Sequence, residues 1–388
     1  MVAKHPFLLI GAPAKRLLVI TLLAIAIPAS AQVSPDDGAW KVKGDFAMVT
    51  TGGIAVPVKA GSVSLSQTGE ASQKGKGVDN IAQYESEDRK VFATIYIFYA
   101  TYADTALATW ATDRAIHERF GPNLILVSDT IVAAGGVPQA ATRRLYDKAE
   151  LEPGKPMVTA AGFVRAGRWM IAVRVSGPAG RRPEVEGAFD ALLSGMRFDG
   201  KDRPMPAAPL KLAATCPASD EKPARFLGDK ASGSNALFSS LTGGSITVKD
   251  VAKGTVTEQA PPLAFPHNGT STLCIRGKIA AGGAQWDVLA PASADDGQIA
   301  LVLLDDAGGT VAVEPLLLLD KDMGKGFVVK RYGIGVVDVL GSFDKMPNLA
   351  QLGAIVSGTD RRGAMIRSST VFTPDGKSTI NIDPDMLK

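Results

Sequence analysis

The sequence predicts an α+β chain, with an antiparallel sheet and covering helices in the first half followed by a mostly β second half. Three observations carry this expectation. Residues 90–100 alternate Val91, Ala93, Ile95, Ile97 and Tyr99 against Phe92, Thr94, Tyr96 and Phe98, two largely apolar sets that call for a central strand covered on both faces. A helical stretch from about Glu184 puts Val185, Phe189, Leu192, Leu193 and Met196 on one stripe, which needs a sheet face to cover. Beyond a proline-rich stretch at residues 201–224, the chain breaks into short β-prone runs with one helical piece.

Residues 1–31 have the three parts of an export signal. Lys4, Lys15 and Arg16 form its basic start, residues 17–27 its apolar run, and Ala29-Ser30-Ala31 a small-residue cleavage site. The run is short for a membrane span, so a signal removed after Ala31 is expected rather than a permanent anchor. No Cys follows the site to carry a lipid. The expected location is therefore the periplasm or the outside of the cell, with no transmembrane helix after signal removal. Residues 32–53 form a polar lead with the turn-forming Pro35-Asp36-Asp37-Gly38, and ordered structure is expected to begin after it.

The first domain is expected over residues 54–200. Ile54, Val56 and Val58 alternate, as do Val63 and Leu65, giving two short strands. The polar loop at 69–77 contains Lys74-Gly75-Lys76-Gly77, but no helix start follows, so it reads as a solvated loop and not a phosphate cradle. Residues 79–85 and 90–100 bracket Ser86-Glu87-Asp88-Arg89 as a hairpin. Asp104 is placed to cap a helix with Leu107 and Trp110 inward, His117 and Arg119 at its cationic end, and Gly121-Pro122 as its stop. A short strand at 124–127, the break Gly135-Gly136 and a meander at 140–147, 157–165 and 168–176 follow, the last pair joined by Ala166-Gly167. Gly177-Pro178-Ala179-Gly180 ends the sheet before the striped helix.

This order of elements resembles the PsbP-like proteins. The residues that carry the likeness are Asp79-Asn80-Ile81-Ala82-Gln83-Tyr84, Ala93-Thr94-Ile95-Tyr96-Ile97 and Gly167-Arg168-Trp169-Met170-Ile171-Ala172-Val173-Arg174, within residues 54–198. The resemblance implies an α/β/α sandwich and a non-catalytic binding or accessory role. It supplies no site residues.

Pro204, Pro206, Pro209, Pro217 and Pro223 mark residues 201–224 as a linker to a second, mostly β domain over 225–388. Strands are expected at 271–276, 286–290, 299–304, 311–318, 326–332, 335–340, 364–372 and 378–382, and a helix at 347–356 with Leu349, Leu352 and Ile355 inward. It shows no repeat of the first domain.

Removing the three basic residues of the signal leaves 39 Lys and Arg against 39 Asp and Glu, so the mature chain is formally neutral. Arg143-Arg144, Arg181-Arg182 and Arg361-Arg362 then read as solvated turns and strand ends, and nucleic acid is not an expected partner. Cys216 and Cys274 are the only cysteines. In an exported chain the pair suggests a disulfide, against the alternative of two buried thiols.

Catalytic motifs fail one by one. Of His5, His117 and His267, the first leaves with the signal, and the others read as a helix-end cation and a loop residue. Asp375-Gly376-Lys377-Ser378 has Val371 where a phosphate loop needs its leading Gly. Ser219-Asp220-Glu221-Lys222 lies in the proline-rich stretch without a Lys-Thr-Gly companion. Asp320-Lys321-Asp322-Met323-Gly324 lacks the third oxygen ligand and distal Glu of a calcium loop, and Gly333-Ile334-Gly335 lacks the third Gly of a dinucleotide fingerprint. No cofactor or metal site is expected.

Tyr84, Tyr96 and Phe98 remain as a candidate aromatic ligand platform, with core under a helix as the alternative. The sequence thus points to an exported, periplasmic, non-enzymatic binding or accessory protein of the cell envelope with an unidentified envelope protein or ligand as partner. An exported hydrolase using carboxylates and a structural envelope component stand as the alternatives.

Overall fold

The computed structural model describes residues 38–72, 77–121, 123–150, 152, 154–199, 202–218, 222–228, 246–247, 257–258, 272–293, 299–304, 309–316, 326–373 and 378–382. The fold is mostly β, with 53% of the described residues in strands and 15% in helices. The expected export signal, His267, the candidate motifs at 219–221, 320–324 and 375–377, and Lys74, Gly75 and Lys76 lie outside the described residues.

Order begins earlier than the polarity of residues 32–53 predicts. β1 (Trp40–Lys43) and β2 (Phe46–Val49) pair across Gly44, whose φ of +58° lets the chain reverse, and β2 continues onto β3 (Ile54–Pro57). In β1 apolar residues alternate with lysine, and in β2 burial alternates, so that Ala47 and Val49 are fully buried; the Trp40 indole N–H donates to Gly69 O at 2.8 Å. That half-buried pattern is what a polar-looking lead conceals.

The main sheet of the first half uses β4 (Lys59–Ala60), β5 (Val63–Glu70), β6 (Asp79–Ser86), β7 (Phe92–Tyr99), β8 (Ile125–Ala134), β9 (Val137–Glu150), β10 (Pro156–Ala166) and β11 (Trp169–Pro178). Its spatial order is β4-β5-β6-β7-β11-β10-β9-β8, antiparallel throughout, so the strand apolar on both faces does lie inside the sheet. Helix α1 (Thr105–Phe120) follows β7, capped by Asp104 and stopped at Gly121 with φ +79°. Helix α2 (Arg182–Gly195) follows β11 and buries Val185, Phe189, Leu192 and Leu193, as its stripe predicts. β12 (Arg197–Phe198) then closes onto β3, completing a four-stranded sheet β1-β2-β3-β12 that the sequence does not announce.

The two helices lie on opposite faces of the eight-stranded sheet. On β9 the consecutive residues Arg143 and Arg144 must point opposite ways. Arg143 reaches Glu186 and Asp190 of α2, each at 3.1 Å, while Arg144 reaches Asp113 of α1 at 3.1 Å. Close approach beneath α2 needs glycine at 162, since a Cβ there would lie 2.0 Å from Thr142 O and 2.9 Å from the Phe189 ring.

In the second half, β13 (Lys211–Ala213), β14 (Ile246–Thr247), β15 (Thr257–Glu258), β16 (Thr272–Ala281), β17 (Ala284–Pro291), β18 (Ala300–Leu303), β19 (Thr310–Pro315), β20 (Phe327–Tyr332), β21 (Val336–Phe343), β22 (Ser368–Phe372) and β23 (Ser378–Ile382) accompany helix α3 (Leu349–Val356). β14 and β15 pair with each other. The rest form a nine-stranded sheet, β13-β16-β17-β18-β19-β20-β21-β22-β23, a meander in which only the β13–β16 contact is parallel. Alternate residues serve different layers: Ala300 and Val302 pack with Leu352 and Ile355 of α3, whereas Leu301 and Leu303 join the core of the first half with Tyr99, Tyr102 and Leu107. The two halves thus share one apolar core, and residues 33–388 form one compact unit.

The proline-rich stretch is a strap and not a free linker. Ala166 bridges Pro204, Met205 N–H donates to Arg165 O at 2.8 Å and Ala207 N–H to Gln139 O at 2.7 Å, all in the first half. Four residues later β13 enters the nine-stranded sheet, and Cys216 is disulfide-bonded to Cys274 on β16, with Cα atoms 5.3 Å apart. The bond fits an oxidising, exported environment. It closes a loop of sequence separation 58, which the chain-entropy treatment values at about 4 kcal/mol. Replacing both cysteines by serine is expected to lower urea-unfolding stability by that order. Limited proteolysis should cut within residues 207–218 only after reduction.

Candidate functional site

The three aromatic residues of the expected platform part company in the sheet. Tyr84 stands opposite Ala93 on the α2 face, 1% exposed, with its hydroxyl donating to Pro57 O at 2.9 Å. Tyr96 and Phe98 stand opposite Ala172 and Met170 on the α1 face. Phe98 is buried among Ala100, Ala103, Phe163 and Met170. Tyr84, Tyr96 and Phe98 therefore form no common platform, because a strand turns successive side chains to opposite faces and hairpin pairing carries that parity across. Tyr96 alone of the three is half-exposed.

Around Tyr96 the α1 face of the sheet is half open. α1 covers β9 and β10, and the second half meets the lower end of β7 through the bridge Ala100–Ile334. Between these covers lie Ile81, Gln83, Thr94, Tyr96 and Arg174, all half-buried. The register places Arg174 of β11 opposite Thr94, and Tyr96 opposite both Ile81 and Ala172. Arg119, in the last turn of α1, borders this patch and stacks over Phe120 at 5.6 Å. Burial lowers the Arg119 pKa below its ordinary value, the positive charge of Arg174 lowers it further, and Tyr96 acts in the opposite sense. Thr112, one position of the same helical flank, has a buried hydroxyl with no hydrogen-bond partner among the described residues.

Two guanidiniums close enough to feel one another's charge, in a partly dry setting, favour an anion that bridges them. Each offers a planar set of N–H donors suited to a carboxylate or phosphate, and Tyr96 adds a ring and a hydroxyl. The arginine pairs Arg143-Arg144 and Arg181-Arg182 of the sequence meet carboxylates. Arg144 faces Asp113 and Asp129, Arg181 faces Asp88 and Glu184, and Arg182 faces Glu186. The register of β7 against β11 is what brings Arg174 to Tyr96. A single charged residue in the otherwise apolar β11 was the available signal in the sequence.

Other chemical groups are placed for structure. His117 is exposed, with Nδ1 2.9 Å from Asp113 O, as a helix-end residue should be. Lys330 and Tyr332 both bind Glu314, at 3.0 and 2.5 Å, and burial followed by the Glu314 charge holds the Tyr332 hydroxyl well above its ordinary pKa. The nearest opening to this cluster is an internal crevice with Tyr102, Asp104 and Thr310 in its wall and room for little more than one water. A second, open groove beside α2 contains Asp190 as its only carboxylate. Neither opening sets two carboxyl groups face to face. Among the described residues no group of three His, Cys, Asp or Glu could hold a metal, and no helix is long and apolar enough to cross a membrane.

In comparison with known proteins, no protein-family model matches this chain and no curated sequence matches it.

Asp79 stands opposite Phe98 at the edge of the open patch, and burial pushes its carboxyl up to about 6 from 3.8. The native state then holds a proton that the unfolded chain has released between those values, so this group's contribution falls as pH rises through that window. Asp79→Asn is expected to stabilise the protein by about 1–3 kcal/mol at neutral pH, with the difference closing near pH 4, as read by chemical denaturation at both pH values.

Proposed function

We propose that the protein is an exported, periplasmic, non-enzymatic binding protein of the cell envelope whose ligand carries an oxyanion. The observation that carries this reading is the half-open sheet face on which Arg119, Arg174 and Tyr96 converge. The disulfide supports export, with the signal at residues 1–31 removed after Ala31. Helices on opposite faces of an antiparallel sheet, in the order β-hairpin, helix, meander, helix, are compatible with the PsbP-like resemblance, from which the accessory role is taken. The face suits a ligand with a flat or apolar body: the anionic group between the guanidiniums, the body along Tyr96 and Ile81.

Thermal and chemical denaturation of the mature protein with benzoate and with inorganic phosphate separates a carboxylate from a phosphate preference. Ligand at ten times its Kd should add about 1.4 kcal/mol of stability. Arg174→Gln and Arg119→Gln should each remove that increment without unfolding the chain. Stabilisation that survives both substitutions, or turnover in a broad hydrolase screen that Arg174→Gln leaves intact, sinks the reading.

A further inference from the structure

The two ends of the eight-stranded sheet differ in kind. One is β4, two residues long, and the other is β8, ten residues long. An edge strand presents unpaired N–H and C=O groups, and long edges are ordinarily blunted by charge, proline or shortness. β8 has no proline and a single charged residue, Asp129, while Ile125, Leu126 and Val127 are 44%, 40% and 40% exposed. A bulge at Val127 sets this apolar tip apart from a regular run in which Ser128, Asp129, Thr130, Ile131 and Val132 pair in order with Leu145 to Ala141.

Beside that regular run a groove of about 360 Å³ opens between β8 and α2. Val132 and Leu193 give it apolar walls, Thr130 and Ser194 its polar rim, and Arg143 with Asp190 one charged side. The charges are layered. The Arg143 side chain is 11% exposed against 58% for Asp190, and Arg144 is 15% exposed against 44% for Asp129. Cations lie inward and carboxylates outward, so this edge shows negative charge on both faces of the sheet.

We infer that β8 is a docking edge for an extended segment of a partner polypeptide. The segment adds as a ninth strand along residues 128–133, sends alternate apolar side chains into the groove on the α2 face, and sets the intervening basic side chains toward Asp129 on the α1 face. Main-chain hydrogen bonds supply affinity and the groove supplies selectivity, as in strand-addition recognition generally. Charge decides against a second copy of the chain: two β8 strands paired about the regular run would bring two Asp129 carboxylates together, whereas a basic strand meets them with opposite charge.

The test uses the mature, disulfide-bonded protein and a fluorescent acetyl-Lys-Val-Lys-Val-Lys-Val-Lys-amide peptide, with a Glu-for-Lys version and a version carrying proline at its centre. Anisotropy should show binding of the basic peptide only, and hydrogen exchange should show new amide protection confined to β8. Thr130→Lys on the exposed rim and Val132→Lys in the groove should each weaken binding about tenfold or more, with Thr130→Lys checking that the loss is not unfolding. Equal binding of the acidic peptide, no binding of any peptide, or protection away from β8 would overturn the inference. So would a dimer that dissociates on Leu126→Lys, because it would give the edge to a second copy.

Discussion

Burial of α1 from two sides is the constraint on which the rest of the molecule rests. One side of the helix meets the eight-stranded sheet, where the Thr109 hydroxyl pairs with that of Thr142 at 2.7 Å and Ile116 packs with Tyr146 and Ala161. Another side meets the nine-stranded sheet, where Arg114 donates to Leu303 O at 3.2 Å and stacks over Trp286 at 4.2 Å. A helix with two covered sides cannot show one clean apolar stripe, which is why α1 mixes Thr, Ala and Arg at positions that all pack. Its start is buried as well, and Asp104 satisfies the N–H groups of Ala106 and Leu107 at 2.9 and 3.0 Å, donors that would otherwise be stranded away from water.

The same two-sided burial sets the character of the nine-stranded sheet. β18 is buried at every residue because α3 lies on one face and the first half on the other. Several charged groups of this sheet are held in combination. Lys330 is held by Glu314, which also takes the Tyr332 hydroxyl, and Asp338 takes both Arg331 and Ser369. Such pairs contribute little net stability, since desolvation offsets most of the attraction, yet removing one partner strands the other charge. They hold registry between β19, β20, β21 and β22.

Local chemistry was legible in the sequence and tertiary parity was not. The Asp104 cap, the Gly121 stop, the stripe of α2 and the Ala166-Gly167 turn are signals within a few residues, and each element stands where those signals put it. The strands of the second half likewise follow their β-branched runs. By contrast, whether Tyr84 shares a face with Tyr96 depends on hairpin register, and the meeting of Arg119, Tyr96 and Arg174 depends on β11 lying beside β7. The proline-rich stretch misled for a related reason. Proline marks extended backbone as readily as free linker, and only the hydrogen bonds of Met205 and Ala207 with the bond at Cys216 show that this stretch is tied down.

Among the described residues, the places where covering layers stop are where a partner or ligand could be met. Two such places exist on the eight-stranded sheet, and both follow from how far α1 and α2 reach across it. α1 covers β9 and β10 but leaves Tyr96 and Arg174 half-exposed, while α2 reaches β8 without covering all of it and leaves a groove beside it. The first place is a face, with fixed side chains and no free backbone, which suits a small anionic ligand. The second is an edge, with free backbone groups beside a side-chain groove, which suits a polypeptide. The sheet that carries both is stiffened by eight hydrogen-bonded strands, so binding at either place needs little reordering of the frame, and the ordering cost that weakens mobile binding surfaces is small here.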